Sequence, residues 1–340
     1  MQYNCQCKEG DALTTAYAPG KVILFGEHAV VYGRPAIAVP VTQVRACTTV
    51  EDAGKGQGLL IHATDLQLRH QVGSPISVGH PAYHLEATVR HTLQRLNIEH
   101  TPALILTVSS TVPIARGMGS GAAVATAIVR ALAQHLGQPL SPQEVSELVY
   151  QTEVIHHGTP SGIDNTVIAF EQPVYFVKGQ PIEFLRLKQS FWLVIGDTGI
   201  SSPTKEVVGD VRRAWQSDAQ RYEALFDRIG AIVVCARDAL ACGEIATLGK
   251  LMDENQKLLE ALDVSSPELQ RLIAAARQAG AWGAKLCGAG RGGNMIALVR
   301  PEKAQSIATA IREAGAVSVI VTEVKQTQSA SSEQAIGSRT

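Results

Sequence analysis

The sequence predicts an α+β protein of two domains. Three observations carry this: a length of 340 residues, a strand-rich first half built around one long helix of small residues, and a second half in which helices and strands alternate. A chain of that length exceeds what one hydrophobic core ordinarily fills. Hydrophobic residues make up 45% and charged residues 18%, a globular composition.

In the first half, apolar runs at 17–18 and 22–25 are broken by Pro19 and Gly20 and read as strand, turn, strand. Segments 36–41 and 45–51 read as further strands, with a glycine-rich turn at 54–58. Helical spacing covers 84–96, and alternation marks a strand at 104–109. Residues 120–136 form the helix of small residues, closed by Gly137. The next helix has explicit start chemistry: Ser141 as N-cap, Pro142 at the first helical position and Glu144 completing a capping box.

In the second half, 191–196 reads as a short buried strand and Asp210 onward as one helix to about 241. Helices follow at 246–262 and 267–279, the latter started by Ser266 and stopped by Gly280. A strand at 284–287, a glycine-rich turn, a strand at 295–299, a helix at 304–314 and a strand at 317–324 complete the order. The domains are expected to divide as 1–190 and 191–325, leaving 326–340 as a flexible Ser/Gln-rich tail.

A net charge of −1 gives no basic stripe for nucleic acid. The first ten residues are polar, unlike a secretory leader, and no apolar run is long enough to span a bilayer. The six cysteines, at 5, 7, 47, 235, 242 and 287, form no C-x-x-C pair. A zinc site is therefore not expected, and a reduced, cytoplasmic setting is.

Two stretches carry chemistry. In Pro113-Ile-Ala-Arg116-Gly117-Met118-Gly119-Ser120-Gly121-Ala122-Ala123, glycines run directly into a helix. Glycine lets backbone amides approach a ligand, and a helix N-terminus favours an anion, so the stretch reads as a phosphate cradle. A tight packing turn is the alternative. It is not a Walker A loop, since no G-x-x-x-x-G-K-[ST] occurs. The stretch 288–293 fits G-x-G-x-x-G literally, but a strand follows it where a dinucleotide site needs a helix.

The second stretch is Glu153-Val-Ile-His-His-Gly-Thr-Pro-Ser161-Gly-Ile-Asp164. Its turn residues can return Asp164 to the neighbourhood of Glu153. Two carboxylates with a hydroxyl between them suit Mg2+ and proton transfer. A solvated turn with an N-cap aspartate is the plain alternative. Lys21, beside an apolar strand, can keep a carboxylate ionised or neutralise a transferring phosphoryl group. Glu27 and His28 are a polar break in an apolar region.

Together these residues resemble the GHMP kinase superfamily of galactokinase, homoserine kinase, mevalonate kinase and phosphomevalonate kinase. Its three motifs occur in order: 18–33, with Lys21, Glu27 and His28; 113–123; and Lys285-Leu-Cys-Gly288-Ala289-Gly290-Arg291-Gly-Gly. The segments 27–33, 157–165, Asp197-Thr-Gly and Thr204-Lys205 are most similar to the mevalonate kinase branch. The resemblance implies an N-terminal domain like ribosomal protein S5 domain 2, a ferredoxin-like C-terminal domain, and an active site in the cleft between them. It implies transfer of the ATP γ-phosphoryl group to the C5 hydroxyl of mevalonate, with Mg2+ as cofactor. A homodimer is common in the family.

Residue by residue, it implies Asp164 as catalytic base with Lys21 beside it. Ser120 and Glu153 would hold the metal. Pro113, Arg116 and the amides of Gly117, Met118, Gly119, Ser120, Gly121, Ala122 and Ala123 would bind ATP phosphates. Glu27, His28, Ser161, Asp164 and Thr204 would line the substrate site, and Gly288, Ala289 and Gly290 would shape the cleft. The sequence departs from the family at two places. Gly121 stands where a second serine is usual, which leaves the metal to Ser120, Glu153 and waters. Arg291 replaces a glycine and either contacts phosphate or points to solvent. The rival readings are a sister kinase acting on another hydroxyl metabolite and a non-catalytic ligand-binding relative. The latter would be expected to lose Lys21, Glu153 or Asp164, and all three are present.

Overall fold

The computed structural model describes residues 13–326, apart from 55, 78, 115, 158–159 and 203 and the side chains of 155–157. The expected tail beyond Gln326 lies outside the described residues.

Strand β1 (Thr14–Phe25) runs antiparallel to the long β2 (Ala36–Asp52). Both were expected as pairs of shorter strands. The chain instead continues through Pro19 and Gly20, because the register shifts there and absorbs the residue that cannot donate to the ladder. Strands β3 (Leu59–Ala63), β4 (Leu68–Gln71), β5 (Leu104–Ser110), β6 (Val174–Phe176) and β7 (Glu183–Phe184) complete a seven-stranded sheet ordered β4-β3-β5-β2-β6-β7, with β1 on β2.

Helices α1 (Pro81–Arg95), α2 (Ser120–His135), α3 (Pro142–His157) and α4 (Ile163–Phe170) accompany this sheet. Helix α2 packs on β1 and β2 through Ala123, Ala127 and Ala131, all fully buried; residues this small let helix and strands approach closely. The expected capping box of α3 forms: the Ser141 amide donates to Glu144 Oε2 (2.9 Å) and the Glu144 amide to Ser141 Oγ (3.3 Å).

The second sheet is ordered β11-β8-β10-β9, from β8 (Phe191–Asp197), β9 (Gly283–Cys287), β10 (Asn294–Val299) and β11 (Ser318–Val324). Helices α5 (Thr204–Ser217), α6 (Ala219–Cys242), α7 (Ile245–Ala261), α8 (Pro267–Gln278) and α9 (Ala304–Glu313) belong to this half. The single helix expected from Asp210 to about 241 is two helices. Asp218 caps the second by accepting from the Arg221 amide (3.2 Å), a break that apolar periodicity does not report. The mixed helix-and-sheet, two-domain expectation is met. One buried core spans both halves, from Val22 and Ala123 to Leu193 and Leu286. Among the described residues, no helix is long and apolar enough to cross a membrane.

Candidate active site

The site begins where β1 passes the glycine loop. The Lys21 amide donates to the Met118 carbonyl (3.0 Å), tying the strand to the turn before α2. Gly119, at φ +70°, precedes the helix; a Cβ there would lie 2.9 Å from Ile168 Cδ1 and 3.2 Å from Lys21 Cγ. Only glycine satisfies both the left-handed backbone and the contact with the lysine stem.

Lys21, 4% exposed, directs its ammonium to Asp164 Oδ1 at 2.9 Å. Asp164 lies in the first turn of α4, behind Gly162 at φ +91°. Its side chain is 32% exposed, so one partner is sealed and the other open. Burial works against the Lys21 ammonium, but Asp164 outweighs it and the lysine is held above its ordinary range.

Glu153, on α3, faces the same point. A Cβ at Gly121 would lie 3.2 Å from its Oε1, so the carboxylate sits against the first turn of α2 beside Ser120. Burial, then the Asp164 charge, push the Glu153 carboxyl up to about 7. Lys21, Asp164 and Glu153 therefore converge at one helix N-terminus, as the sequence predicts. A hydroxyl and a carboxylate, both oxygen donors, fit a hard cation completed by water and phosphate oxygens. Among the described residues no cluster of three or more His, Cys, Asp or Glu could hold a metal.

The third glycine turn closes on the second. A Cβ at Gly117 (φ +75°) would lie 3.6 Å from the Gly288 Cα, and Asn294 Nδ2 donates to the Arg116 carbonyl (2.6 Å). Gly290 (φ +84°) passes so near Val264 that a Cβ would lie 2.0 Å from the Val264 carbonyl oxygen.

His28, at φ +61°, donates from Nε2 to the Ala289 carbonyl (2.8 Å). Burial lowers it to about 4, so at neutral pH it is uncharged and its buried Nδ1 is left as an acceptor without a hydrogen-bond partner. Glu27 pairs with Lys285; the two side chains are 1% and 0% exposed. Burial pushes the Glu27 carboxyl up, and Lys285 offsets that only in part.

Several expected roles change in detail. The Ala123 amide donates to the Gly119 carbonyl (2.9 Å), so the first helical hydrogen bond consumes a donor expected to face phosphate. The unpaired donors of a helix N-terminus are those of its first turn, here Ser120, Gly121 and Ala122. The Met118 side chain is core, 1% exposed. The Arg116 guanidinium pairs with Asp197 Oδ2 (3.2 Å) and donates to the Gly199 carbonyl (2.9 Å), which fixes the loop to the second sheet. Glu27 is sealed against Lys285 and does not present an open face to a substrate. Arg291, whose side chain is 37% exposed, directs its guanidinium to acidic partners. It pairs with Asp210 on α5, donates to the Asp263 carbonyl (3.1 Å) and approaches the Asp263 carboxylate (3.6 Å).

Ser161 lies just before Gly162, the N-cap of α4, and its hydroxyl accepts from the Ile163 amide (3.4 Å). Pro113 is half-buried ahead of the loop, and Thr204, exposed, opens α5 two residues after Ser202, whose hydroxyl donates to the Gly290 carbonyl. Sequence reasoning assigned no role to Lys285 or Asn294. A lysine inside the buried run Gly-Ala-Lys-Leu-Cys is the signal that could have found the first.

Two family models match the chain: GHMP kinases N terminal domain over 83–172 and GHMP kinases C terminal over 236–317. The mevalonate kinase of Pyrococcus horikoshii is 36% identical over 327 residues, covering 90% of this chain and 94% of that protein. That of Thermococcus onnurineus is 37% identical over 325 residues, with 90% and 94% covered. The crystal structure of L. major mevalonate kinase in complex with R-mevalonate superposes with a TM-score of 0.82 at 27% identity, covering 95% of this chain and 99% of that one. With three converging motifs, a lysine–aspartate pair at a helix N-terminus and this similarity over nine-tenths of its length, the chain belongs to the GHMP kinases and, within them, to the mevalonate kinase family.

Proposed function

We propose that the chain transfers the γ-phosphoryl group of ATP to the C5 hydroxyl of mevalonate, giving 5-phosphomevalonate and ADP. The observation that carries the reading is the Lys21–Asp164 pair, 2.9 Å apart, at the N-terminus of α2 with Glu153 beside it. The L. major relative, captured with R-mevalonate, supplies the acceptor.

Phosphoryl transfer asks the protein mainly for position and charge neutralisation. The first-turn amides of α2 and the positive end of its dipole receive the phosphates. Asp164, open on one side and held by Lys21 on the other, accepts the hydroxyl proton. The freed oxygen forms a bond to the γ-phosphorus as the bond from that phosphorus to the β–γ bridging oxygen breaks. Lys21 stays protonated and offsets charge on the transferring group. His28, buried and neutral, ties the first motif to the third through the Ala289 carbonyl, at the edge of the substrate site. Ser120 and Glu153 would hold Mg2+, which would neutralise phosphate charge and orient the nucleotide.

We place the domain boundary at 190–191, in the connection between β7 and β8. The described cysteines 47, 235, 242 and 287 are free thiols, in keeping with a reducing cytoplasmic setting. The test is ADP release from Mg2+-ATP with mevalonate, phosphomevalonate, homoserine or galactose as acceptor. Turnover with mevalonate alone is expected; turnover only with another acceptor overturns the substrate and keeps the chemistry.

A further inference from the structure

Lys285 is buried completely, yet none of the steps above uses it. Its ammonium donates to Glu27 and to the Leu286 carbonyl (2.7 Å). Glu27 lies just beyond β1, on the first sheet's side, and Lys285 on β9 of the second, so the pair spans the two halves across 258 positions of sequence. The same short stretch makes two more contacts with the first half: Cys287 Sγ donates to the Ile23 carbonyl (3.4 Å), and the Ala289 carbonyl accepts from His28.

Lys21 feels two carboxylates. Asp164 is in contact, and Glu27 acts on it by charge alone, in the same direction. The second oxygen of Glu27, Oε2, is buried without a hydrogen-bond partner. The charged and titratable groups around Glu27 are Lys285 and Cys287 from β9, Lys21 from β1 and the adjacent His28, with Asp164 of α4 beyond Lys21. Lys285 satisfies Glu27, and Lys21 is thereby left to Asp164. Without Lys285, Glu27 can keep its charge only by drawing on Lys21, the other cation that acts on it.

We infer that Lys285 is a positioning residue for phosphoryl transfer: by occupying Glu27 it keeps the Lys21 ammonium on Asp164, and so couples the docking of the two halves to the catalytic pair. The inference rests on the kinase reading above. A pair that served stability alone would alter the folded fraction and leave the turnover of folded molecules unchanged.

The experiment compares wild type, K285M, E27Q and the double variant E27Q/K285M by ADP release with Mg2+-ATP and mevalonate, normalised to the folded fraction from circular dichroism. For K285M, kcat is expected to fall about 100-fold while both KM values move less than about threefold, since the lost interaction acts on the reacting pair. The double variant strands no charge and is expected to regain at least about tenfold over K285M. A folded K285M within about threefold of wild type, or a double variant no faster than K285M, overturns the inference. Should K285M fail to fold, the comparison passes to E27Q, which strands the Lys285 cation beside Lys21: the double variant must then be the faster of the two, and equality overturns the inference. An inactive wild type overturns the mevalonate reading and this inference with it. An active wild type with an unrescued double variant overturns the inference alone.

Discussion

Two lysine–carboxylate pairs lie close together in this molecule, with the same chemistry and opposite surroundings. In Lys21–Asp164 the lysine is 4% exposed and the aspartate 32%. In Lys285–Glu27 both side chains are sealed, at 0% and 1%. A carboxylate that can meet solvent or substrate can accept a proton from one, whereas a sealed one cannot without unfolding its surroundings. Exposure therefore separates the pair proposed to react from a pair that holds. The open pair also stands beside the proposed phosphate cradle. Asp164 and the α2 N-terminus come together because Gly119 and Gly162 each take a left-handed turn immediately before a helix.

The largest effect should come from the open pair. Asp164→Asn keeps the size of the side chain and removes its basicity, so kcat should fall by about 10²–10⁴-fold, the span of general-base catalysis. The melting temperature should also fall, because the substitution leaves the buried Lys21 ammonium without its carboxylate, so turnover is compared per folded molecule. Turnover near the wild-type value would reverse the comparison and remove Asp164 from the chemistry.

Stability should rank the pairs the other way. Removing one partner of a fully buried pair costs about 3–5 kcal/mol, because the other charge is left desolvated. Lys285→Met should therefore shift the urea midpoint strongly. Lys21→Met leaves Asp164 with access to water and should shift it much less, while lowering kcat more than any change in stability explains. Equal midpoint shifts would mean that exposure is not what distinguishes the two pairs.

The same contrast explains what could be read from the chain. The open pair was legible because its residues lie in short stretches with their own local signals: the glycines before α2, the turn residues before Asp164, and a lysine beside an apolar strand. Start signals such as Ser141 with Glu144, and the strand after Gly293 that excluded a dinucleotide fold, are local as well. The sealed pair was not legible, since Glu27 and Lys285 meet only when the two sheets dock, and neither segment's pattern names the other. The same limit applies to Arg116 and Arg291, which the sequence offered to phosphate or solvent and the fold gives to Asp197 and Asp210. Long-range partners also decided β1 and β2, where a bulge let single strands pass residues that read locally as turns.

A smaller effect concerns His28, next to the sealed pair. Its folded value of about 4 lies below the ordinary 6.5, so the unfolded chain binds its proton first on acidification. The stability it contributes is full above about 6.5 and is lost as pH falls toward 4, at most about 3 kcal/mol. Glu153 runs in the opposite sense. Its folded value of about 7 lies above the ordinary 4.5, so its contribution weakens as pH rises from about 4.5 to 7. The two windows overlap, and the total slope alone is uninformative. His28→Asn, which tolerates the positive φ, should remove the His28 part. The difference in unfolding free energy between variant and wild type should then change between pH 6.5 and 4; a constant difference would mean that His28 is not buried in its neutral form.

The smallest effect should come from Arg291, whose ion pair is neither sealed nor reacting. Its side chain is 37% exposed and its Asp210 partner 33%. Exposed pairs contribute about 0–1 kcal/mol. The residue also holds a left-handed backbone (φ +56°) that glycine adopts without strain. Arg291→Gly therefore exchanges a weak ion pair for relief of backbone strain, partly offset by the greater entropy of glycine in the unfolded chain. The net change in unfolding free energy should lie within about 1 kcal/mol of zero. Because the guanidinium is bonded to Asp210 and Asp263 and not to the cradle, KM for ATP should stay within about threefold of wild type, a difference well under 1 kcal/mol in binding. A tenfold rise in that KM would return Arg291 to the phosphate site and make it a third kind of charge in this cleft, one that contacts the nucleotide directly.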